Sequence, residues 1–327
     1  VLAQQGNIKS VEYTRMLKVE YGGNLMRKIG IIGLGHVGAD VAYTLCREKL
    51  VSHLVLIDKL EEKVLAEKLE IEDSLVPWDY SVKIDTQNYG TLRDAEIVII
   101  SVGSQSIDNE NRNSELLDNV ASVKETIPRV VASGFKGIFI VISNPCDTIT
   151  RLVQEVSGFP QSRVIGTGTL LDTSRMKRVV SQHFNVSPQD VTGYVLGEHG
   201  ESQFIPWSLV QIDGKSLLEN YSLSMEEAEL LKEKTRLGGW EIHSGKGWTS
   251  FGIASMCARL VQAIQLDENR IYPVSVYDER ERLYLGYPAK IGRKGISQKV
   301  DVVLTEKESD LYRSSAQAVR EVYNLIK

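Results

Sequence analysis

Three side chains could together move a proton and hold the groups that move it. His199 lies in YVLGEHGESQFIPWS between Glu198 and Gly200, one of five histidines in the chain. An imidazole titrates at about pH 6.5, so it can give and take a proton near neutrality. The alternative is a solvated turn at Glu198-His199-Gly200, where the ring only meets water. Asp172 and Arg175 stand three apart in GTGTLLDTSRMKR, and three residues along a helix share a face. Such pairs are commonly surface ion pairs. Asp172, however, follows Leu170 and Leu171 at the apolar start of the expected helix. A carboxylate facing an interior needs a cationic partner, and His199 is a candidate.

A second constellation could hold phosphate. GIIGLGHVG places Gly33, Gly35 and Gly38 in G-x-G-x-x-G spacing, after an expected strand and at the opening of an expected helix. In a dinucleotide fold the first glycine permits the tight turn, the second lets backbone approach the pyrophosphate, and the third lets the helix pack closely on the strand. The next strand, HLVLID, ends in Asp58, twenty residues after Gly38. A carboxylate there accepts hydrogen bonds from ribose hydroxyls and repels a 2′-phosphate, which favours NAD over NADP. His36 and Val37 inside the loop, Gly103 after the strand AEIVIIS, and Asn144 in ISNP complete the expected cofactor-binding set. The competing reading is a glycine turn with a chance surface aspartate.

These residues need elements to position them. From Arg27 short β-rich runs alternate with amphipathic helices: RKIGIIG, VGADVAYTLCREKL, HLVLID, EEKVLAEKLEIEDSL, AEIVIIS, a helix near Leu116 to Ala132, and GIFIVIS. That alternation predicts right-handed βαβ units and a parallel sheet covered on both faces, the doubly wound α/β class. A helix over Asp147 to Val156 and the strand-like VIGTG follow. Beyond about residue 167 the texture becomes α+β. It mixes a helix over Leu171 to Phe184, strands in VTGYVLG, FIPWSLVQIDG, YPVSVYD and LYLGYPAKIG, a charged helix from Ser224 to about Gly238, and a terminal helix. The expected organisation is an N-terminal extension over 1–26, a nucleotide-binding Rossmann domain over 27–166, and a substrate domain over 167–327.

Composition narrows the partners. The net charge is −5, and no dense cluster of lysine or arginine with interleaved aromatics marks a nucleic-acid or membrane surface. The longest apolar runs are far too short to span a bilayer. Cys46, Cys146 and Cys257 are odd in number and widely spaced in apolar stretches, which fits a reducing cytoplasm rather than a disulfide framework or metal knuckle. A small-molecule partner is expected.

The set GLGHVG, Asp58, ENR, ISNP, IGTGTLLDTSR, LGEHGES and GKGWTS, in this order, resembles the L-lactate and malate dehydrogenase family from residue 27 to the C-terminus. Within it the chain looks most like the L-2-hydroxyisocaproate dehydrogenases. The resemblance implies NAD-dependent, reversible conversion of a 2-oxo acid to an L-2-hydroxy acid. His199 would protonate the carbonyl oxygen, and Asp172 would orient the ring. Arg175 would hold the substrate carboxylate in a two-pronged fork, and Arg112 would swing in on a lid to polarise the carbonyl. Asn144 would hydrogen-bond to substrate or to His199, and Thr249 would line the pocket. A homodimer or homotetramer is implied.

Departures from the family pattern bear on the substrate. Ser106, six positions before Arg112, lacks the arginine that malate enzymes use for a second carboxylate, so poor oxaloacetate activity is expected. Gly238 and Gly239 read either as a helix C-cap or as space cleared for a branched substrate side chain. Taken as space, with Gly239 in the substrate pocket, they favour the hydroxyisocaproate type, with L-lactate dehydrogenase acting on pyruvate as the alternative. Lys177 and Thr192 occupy the positions where bisphosphate-activated lactate dehydrogenases carry arginine and histidine, so no strong activation by fructose 1,6-bisphosphate is expected. Two further readings compete. An NAD-dependent glycoside hydrolase would need a metal site at Cys146, which has no partners at ligand spacing, so no metal is expected. A non-catalytic NAD sensor would not require His199.

Overall fold

The computed structural model describes residues 27–78, 80–103 and 112–327, the last span with its side chains from residue 115 onward. The expected extension over 1–26, Ser106 and the Arg112 side chain lie outside the described parts. No described helix is long and apolar enough to cross a membrane.

The frame is a sheet whose central strands are apolar on both faces. β1 (Lys28–Ile32) pairs in parallel with β2 (His53–Ile57) and with β4 (Ile97–Ile100). β3 (Lys83–Thr86) extends one side, and β5 (Ile138–Val141) with β6 (Val164–Gly166) the other, giving the order 3-2-1-4-5-6. Because side chains alternate along a strand, Ile29, Ile31, Leu54 and Leu56 feed one core while Ile32, Val55 and Ile57 feed the other. Helices α1 (His36–Arg47) and α2 (Glu61–Leu75) cover the first face, α3 (Arg112–Ala132) and α4 (Cys146–Ser157) the second. Each fully buried Leu or Ile stabilises the fold by roughly 1.5–3 kcal/mol. The doubly wound expectation is what the chain forms.

The second half continues this sheet instead of standing apart from it. α5 (Leu170–Phe184) follows β6, then a small antiparallel sheet of β7 (Val191–Thr192), β8 (Gln211–Ile212) and β9 (Lys215–Ser216). After the short α6 (Leu217–Asn220), the long α7 (Met225–Lys246) and α8 (Phe251–Gln265), the hairpin of β10 (Arg270–Asp278) and β11 (Leu283–Gly292) pairs antiparallel to β6 through Ser275 and Gly166. β12 (Gly295–Lys299) closes a nine-stranded sheet, and α9 (Glu306–Asn324) packs on β11.

Three expectations fail here. The charged helix does not end near Gly238: α7 runs to Lys246 and stops at Gly247, whose φ of 90° makes it the left-handed cap. Gly238 and Gly239 are therefore helix interior. The strand expected across VTGYVLG shrinks to β7 and isolated bridges at Leu196 and Gly197, and the strand expected across FIPWSLVQIDG is also broken. Pro206 leads into a 3-10 turn over Trp207–Leu209, which leaves only a bridge at Phe204 and the two residues of β8.

The α1 entry tests how tightly helix and strand must approach. A Cβ built on Gly38 would lie 1.9 Å from the Gly33 carbonyl oxygen, a backbone atom that cannot move aside. Gly38→Ala should cost about 1–3 kcal/mol of stability, as overpacking does, read as a lower urea midpoint with an unchanged slope. An unaltered midpoint would show that α1 does not depend on that contact.

Candidate active site

The glycine loop opens a cleft of about 1120 Å³, whose walls include Gly33, Gly35, His36, Val37, Asp58, Gly103, Asn144 and Thr249. Its three glycines differ in what surrounds them. Gly33 has a φ of 94°, and a Cβ there would strike the Ser101 carbonyl at 2.4 Å, so it makes the turn. Gly38 is packed as described above. Gly35 has nothing within 4 Å of a built Cβ, which leaves bare backbone facing open space. No side chain caps the N-terminus of α1 at Gly35, so its first N–H groups are available to an anion. Asp58 locks this geometry. Its Oδ2 accepts the Leu34 N–H at 2.6 Å and its Oδ1 the Leu60 N–H at 3.0 Å, while Gln87 grips the Asp58 main chain from both sides. Each carboxylate oxygen keeps a lone pair for a ribose hydroxyl. These residues fit a dinucleotide.

One contact at this cleft was not foreseen. The His36 and Trp248 rings stack with centroids 4.0 Å apart and planes within 6°. The pair joins the glycine loop to the turn between α7 and α8. Trp248 stood in the quoted GKGWTS, but only the fold shows that its ring reaches the loop.

The acid–base group is built from three segments. Asp172, in the first turn of α5, is only 1% exposed. Its Oδ2 meets His199 Nδ1 at 2.6 Å and its Oδ1 accepts from Arg175 Nη1 at 2.9 Å. With Nδ1–H given to Asp172, Nε2 is the ring atom left to carry or release a proton. The ion pair weighed as a surface feature thus exists, but in the interior. α5 is also tied to the strand that leads to His199, because Thr169 Oγ1 donates to the Val195 carbonyl at 2.6 Å and the Val195 N–H donates to Thr173 Oγ1 at 2.9 Å.

The His199 turn is the solvent-side bend first weighed, yet it is clamped. Bridges Leu196 to Phe204 and Gly197 to Gly286 close its base on β11. The Glu198 N–H donates to Ser315 Oγ of α9 at 2.6 Å, and Gly197, with φ 90°, leaves no room for a side chain against that serine. From α4, Asp147 Oδ2 accepts the His199 main-chain N–H at 2.8 Å. Neither Asp147 nor Ser315 was singled out from the sequence. No hydrogen bond joins Asn144 to His199 among the described residues: Asn144 lines the cleft, and its carbonyl accepts from Asn119 Nδ2 at 2.7 Å.

Charges at the site oppose burial and win. Burial alone would lower the His199 pKa, but the Asp172 charge and hydrogen bond, with the Asp147 charge, hold it above the usual imidazole value. Burial would raise Asp172, but His199 and Arg175 hold it below the usual carboxylate range. The arrangement therefore favours a protonated ring beside an ionised partner. The Cys146 thiol is pushed up to about 12 by burial and lies among Val141, Thr167 and Gly168. A thiol so held packs the start of α4 against the strand ends of β5 and β6.

Gly238 and Gly239 face α5. A Cβ on Gly239 would sit 3.1 Å from Arg175 Nη2 and 3.3 Å from Cζ, and one on Gly238 would meet Arg178 Nη2 at 3.4 Å. Gly239 thus clears space for the Arg175 guanidinium, which accounts for a glycine in a helix interior at a cost of about 1 kcal/mol.

Comparison with known proteins agrees with this geometry. The model of the lactate/malate dehydrogenase NAD binding domain matches residues 27–166, and that of the lactate/malate dehydrogenase alpha/beta C-terminal domain matches residues 169–327. L-lactate dehydrogenase 1 of Bifidobacterium longum is 40% identical over 307 residues, covering 90% of this chain and 96% of its own. L-lactate dehydrogenase of Fusobacterium nucleatum is 37% identical, covering 86% and 91%. The minor L-lactate dehydrogenase of Enterococcus mundtii, in its ligands-bound crystal structure, superposes with a TM-score of 0.88 at 32% identity over 92% of this chain and 98% of that one. The chain belongs to the lactate/malate dehydrogenase family and is an NAD-dependent 2-hydroxy acid dehydrogenase.

Proposed function

We propose that this chain interconverts pyruvate and L-lactate. The observation that carries the reading is the single buried carboxylate of Asp172 holding an acid–base ring with one oxygen and a carboxylate-binding fork with the other. Bound NAD supplies or accepts the hydride at its nicotinamide ring. In reduction, His199 Nε2 gives its proton to the carbonyl oxygen, and in oxidation it takes the proton back. Asp172 orients the ring and stabilises the imidazolium, as a carboxylate does in hydrolytic triads. Arg175 holds the substrate carboxylate with the guanidinium N–H groups that Asp172 leaves free. The glycine loop, Asp58, His36, Val37, Gly103 and Asn144 hold the coenzyme. Thr249 lines the substrate side of the cleft. Arg112 polarises the carbonyl.

Pyruvate is favoured over a branched oxo acid because the similar proteins named above are lactate dehydrogenases. Ser106 carries no charge for a second carboxylate, so oxaloacetate is a poor substrate. Without the expected arginine and histidine at Lys177 and Thr192, fructose 1,6-bisphosphate does not activate strongly. The working division of labour is a nucleotide domain over 27–166 and a substrate domain over 167–327. A homodimer or homotetramer is supported by Leu65 and Leu69, apolar, exposed and one turn apart on α2, and mass in solution would read it directly. Three buried free thiols support a cytoplasmic setting.

The substrate is tested by kcat/KM with NADH for pyruvate, 2-oxo-4-methylpentanoate, phenylpyruvate and oxaloacetate. Pyruvate should lead and oxaloacetate trail by roughly 100-fold or more, the cost of a buried carboxylate lacking its partner. A lead for the branched or aromatic acids would return the chain to the hydroxyisocaproate type.

The proton donor is tested by pH. A raised His199 pKa means that the protonated ring, and the stability of its pair with Asp172, are fully present below the ordinary imidazole value and are lost as pH rises through the raised one. Pyruvate reduction should be flat on the acid side of that raised value and fall about tenfold per unit on the basic side. His199→Asn should lose the limb and roughly 100- to 10,000-fold in kcat, while NADH binding, followed by fluorescence, stays. Full turnover in that variant would remove His199 from the chemistry.

A further inference from the structure

Beneath His199 lies a second buried carboxylate that the reaction as described does not use. Asp147 stands in the first turn of α4 and is 2% exposed. Its Oδ2 accepts the His199 main-chain N–H at 2.8 Å, and its Oδ1 accepts from the Ser275 hydroxyl on β10. Among the described residues these are its hydrogen-bond partners, and neither is a cation. A neutral amide could accept the same N–H at a much smaller desolvation cost. The charge therefore needs a cation to favour it, and the cation above it is the imidazolium of His199.

The surrounding groups support this. From α5, Asp172 bonds the ring and raises its pKa, while Arg175, bonded to Asp172, opposes it with a smaller effect. Glu198, next in the turn, is acidic and disfavours a charged Asp147, and the Cys146 thiol beside it on α4 stays neutral, pushed up to about 12. Ser275 from β10 is a neutral hydroxyl that can donate to a carboxylate or accept from a carboxylic acid. Burial pushes Asp147 up to about 6, against the Ser275 hydroxyl, the His199 N–H and the His199 charge, which favour its ionised form.

We propose that Asp147 is a positioning residue for the acid–base histidine: it pegs the His199 backbone and, through its negative charge, shares with Asp172 the task of keeping the ring protonated. Its catalytic consequence rests on the reading of His199 as proton donor, whereas its effect on the ring does not. Asp172 acts on the ring nitrogen and Asp147 on the peptide that carries the ring. The first sets direction, and the second sets height and adds field from below.

The test is Asp147→Asn in the full-length chain. Asparagine can accept from His199 N–H and donate to Ser275, so the peg remains and only the charge goes. Two readouts are taken: the His199 ring titration by ¹⁵N NMR of histidine-labelled protein, with the signal assigned by its loss in His199→Asn, and the pH profile of kcat/KM for pyruvate. The ring pKa and the basic limb should both move down, by roughly one pH unit, as the loss of a nearby opposite charge lowers an imidazole. NADH binding should be unchanged. A ring titration that superposes on wild type overturns the proposal. A shifted ring with an unshifted limb upholds the coupling and instead removes His199 as proton donor. Should Asp147→Asn fail to fold, Ser275→Ala serves. Without the hydroxyl donor Asp147 takes up a proton more readily, so the ring pKa must again fall by a smaller amount, and no change overturns the proposal.

Discussion

The site depends on one carboxylate that has no water to fall back on. Asp172 is buried, and an isolated charge there would cost several kcal/mol. It is tolerated because each oxygen has a charged or chargeable partner, His199 on one and Arg175 on the other. That requirement constrains both partners. The ring must present Nδ1 to Asp172 and so must turn Nε2 outward, and the guanidinium must lie flat against α7, which is why α7 carries glycine where the two meet. Acid–base chemistry and carboxylate recognition are thereby held in one frame.

The fold supplies that frame from distant parts of the chain. α5 begins where β6 ends, so Asp172 and Arg175 are delivered at the carboxyl edge of the parallel sheet, the edge that also carries the glycine loop and Asp58. This is where ligands bind in open α/β sheets. The antiparallel hairpin of β10 and β11 extends the same sheet and brings Ser275 and Gly286 beneath the His199 turn. α9 then fixes the turn from outside through Ser315. A mobile turn would let the ring leave Asp172, and these contacts prevent it.

The glycine loop, Asp58 and the Asp172–Arg175 pair were legible in the sequence because each is a local pattern of residue type and short spacing, whereas His199, 27 residues from Asp172, was only a candidate partner there and took its role from the family resemblance. Alternation of apolar runs and helices likewise gave away the doubly wound sheet. Asp147, Ser315 and the Trp248 stack on His36 were not legible, since each acts across a long loop closure that spacing does not encode. The end of α7 was misread for a different reason. WEIHSGK is polar and holds one glycine, so the periodic signal fades before the helix does, and the pair Gly238-Gly239 looked like its terminus. Helix propensity was overridden there by the bulk of Arg175.

The most direct measurement of the shared carboxylate is the pH dependence of kcat/KM for pyruvate in Asp172→Asn against wild type. Asparagine keeps the shape but removes the charge that opposes burial, so the basic limb should move below the ordinary imidazole value of about 6.5, with kcat reduced by roughly 100-fold or more. A limb that stays where wild type has it would mean that Asp172 does not govern His199, and the account of the site would fail.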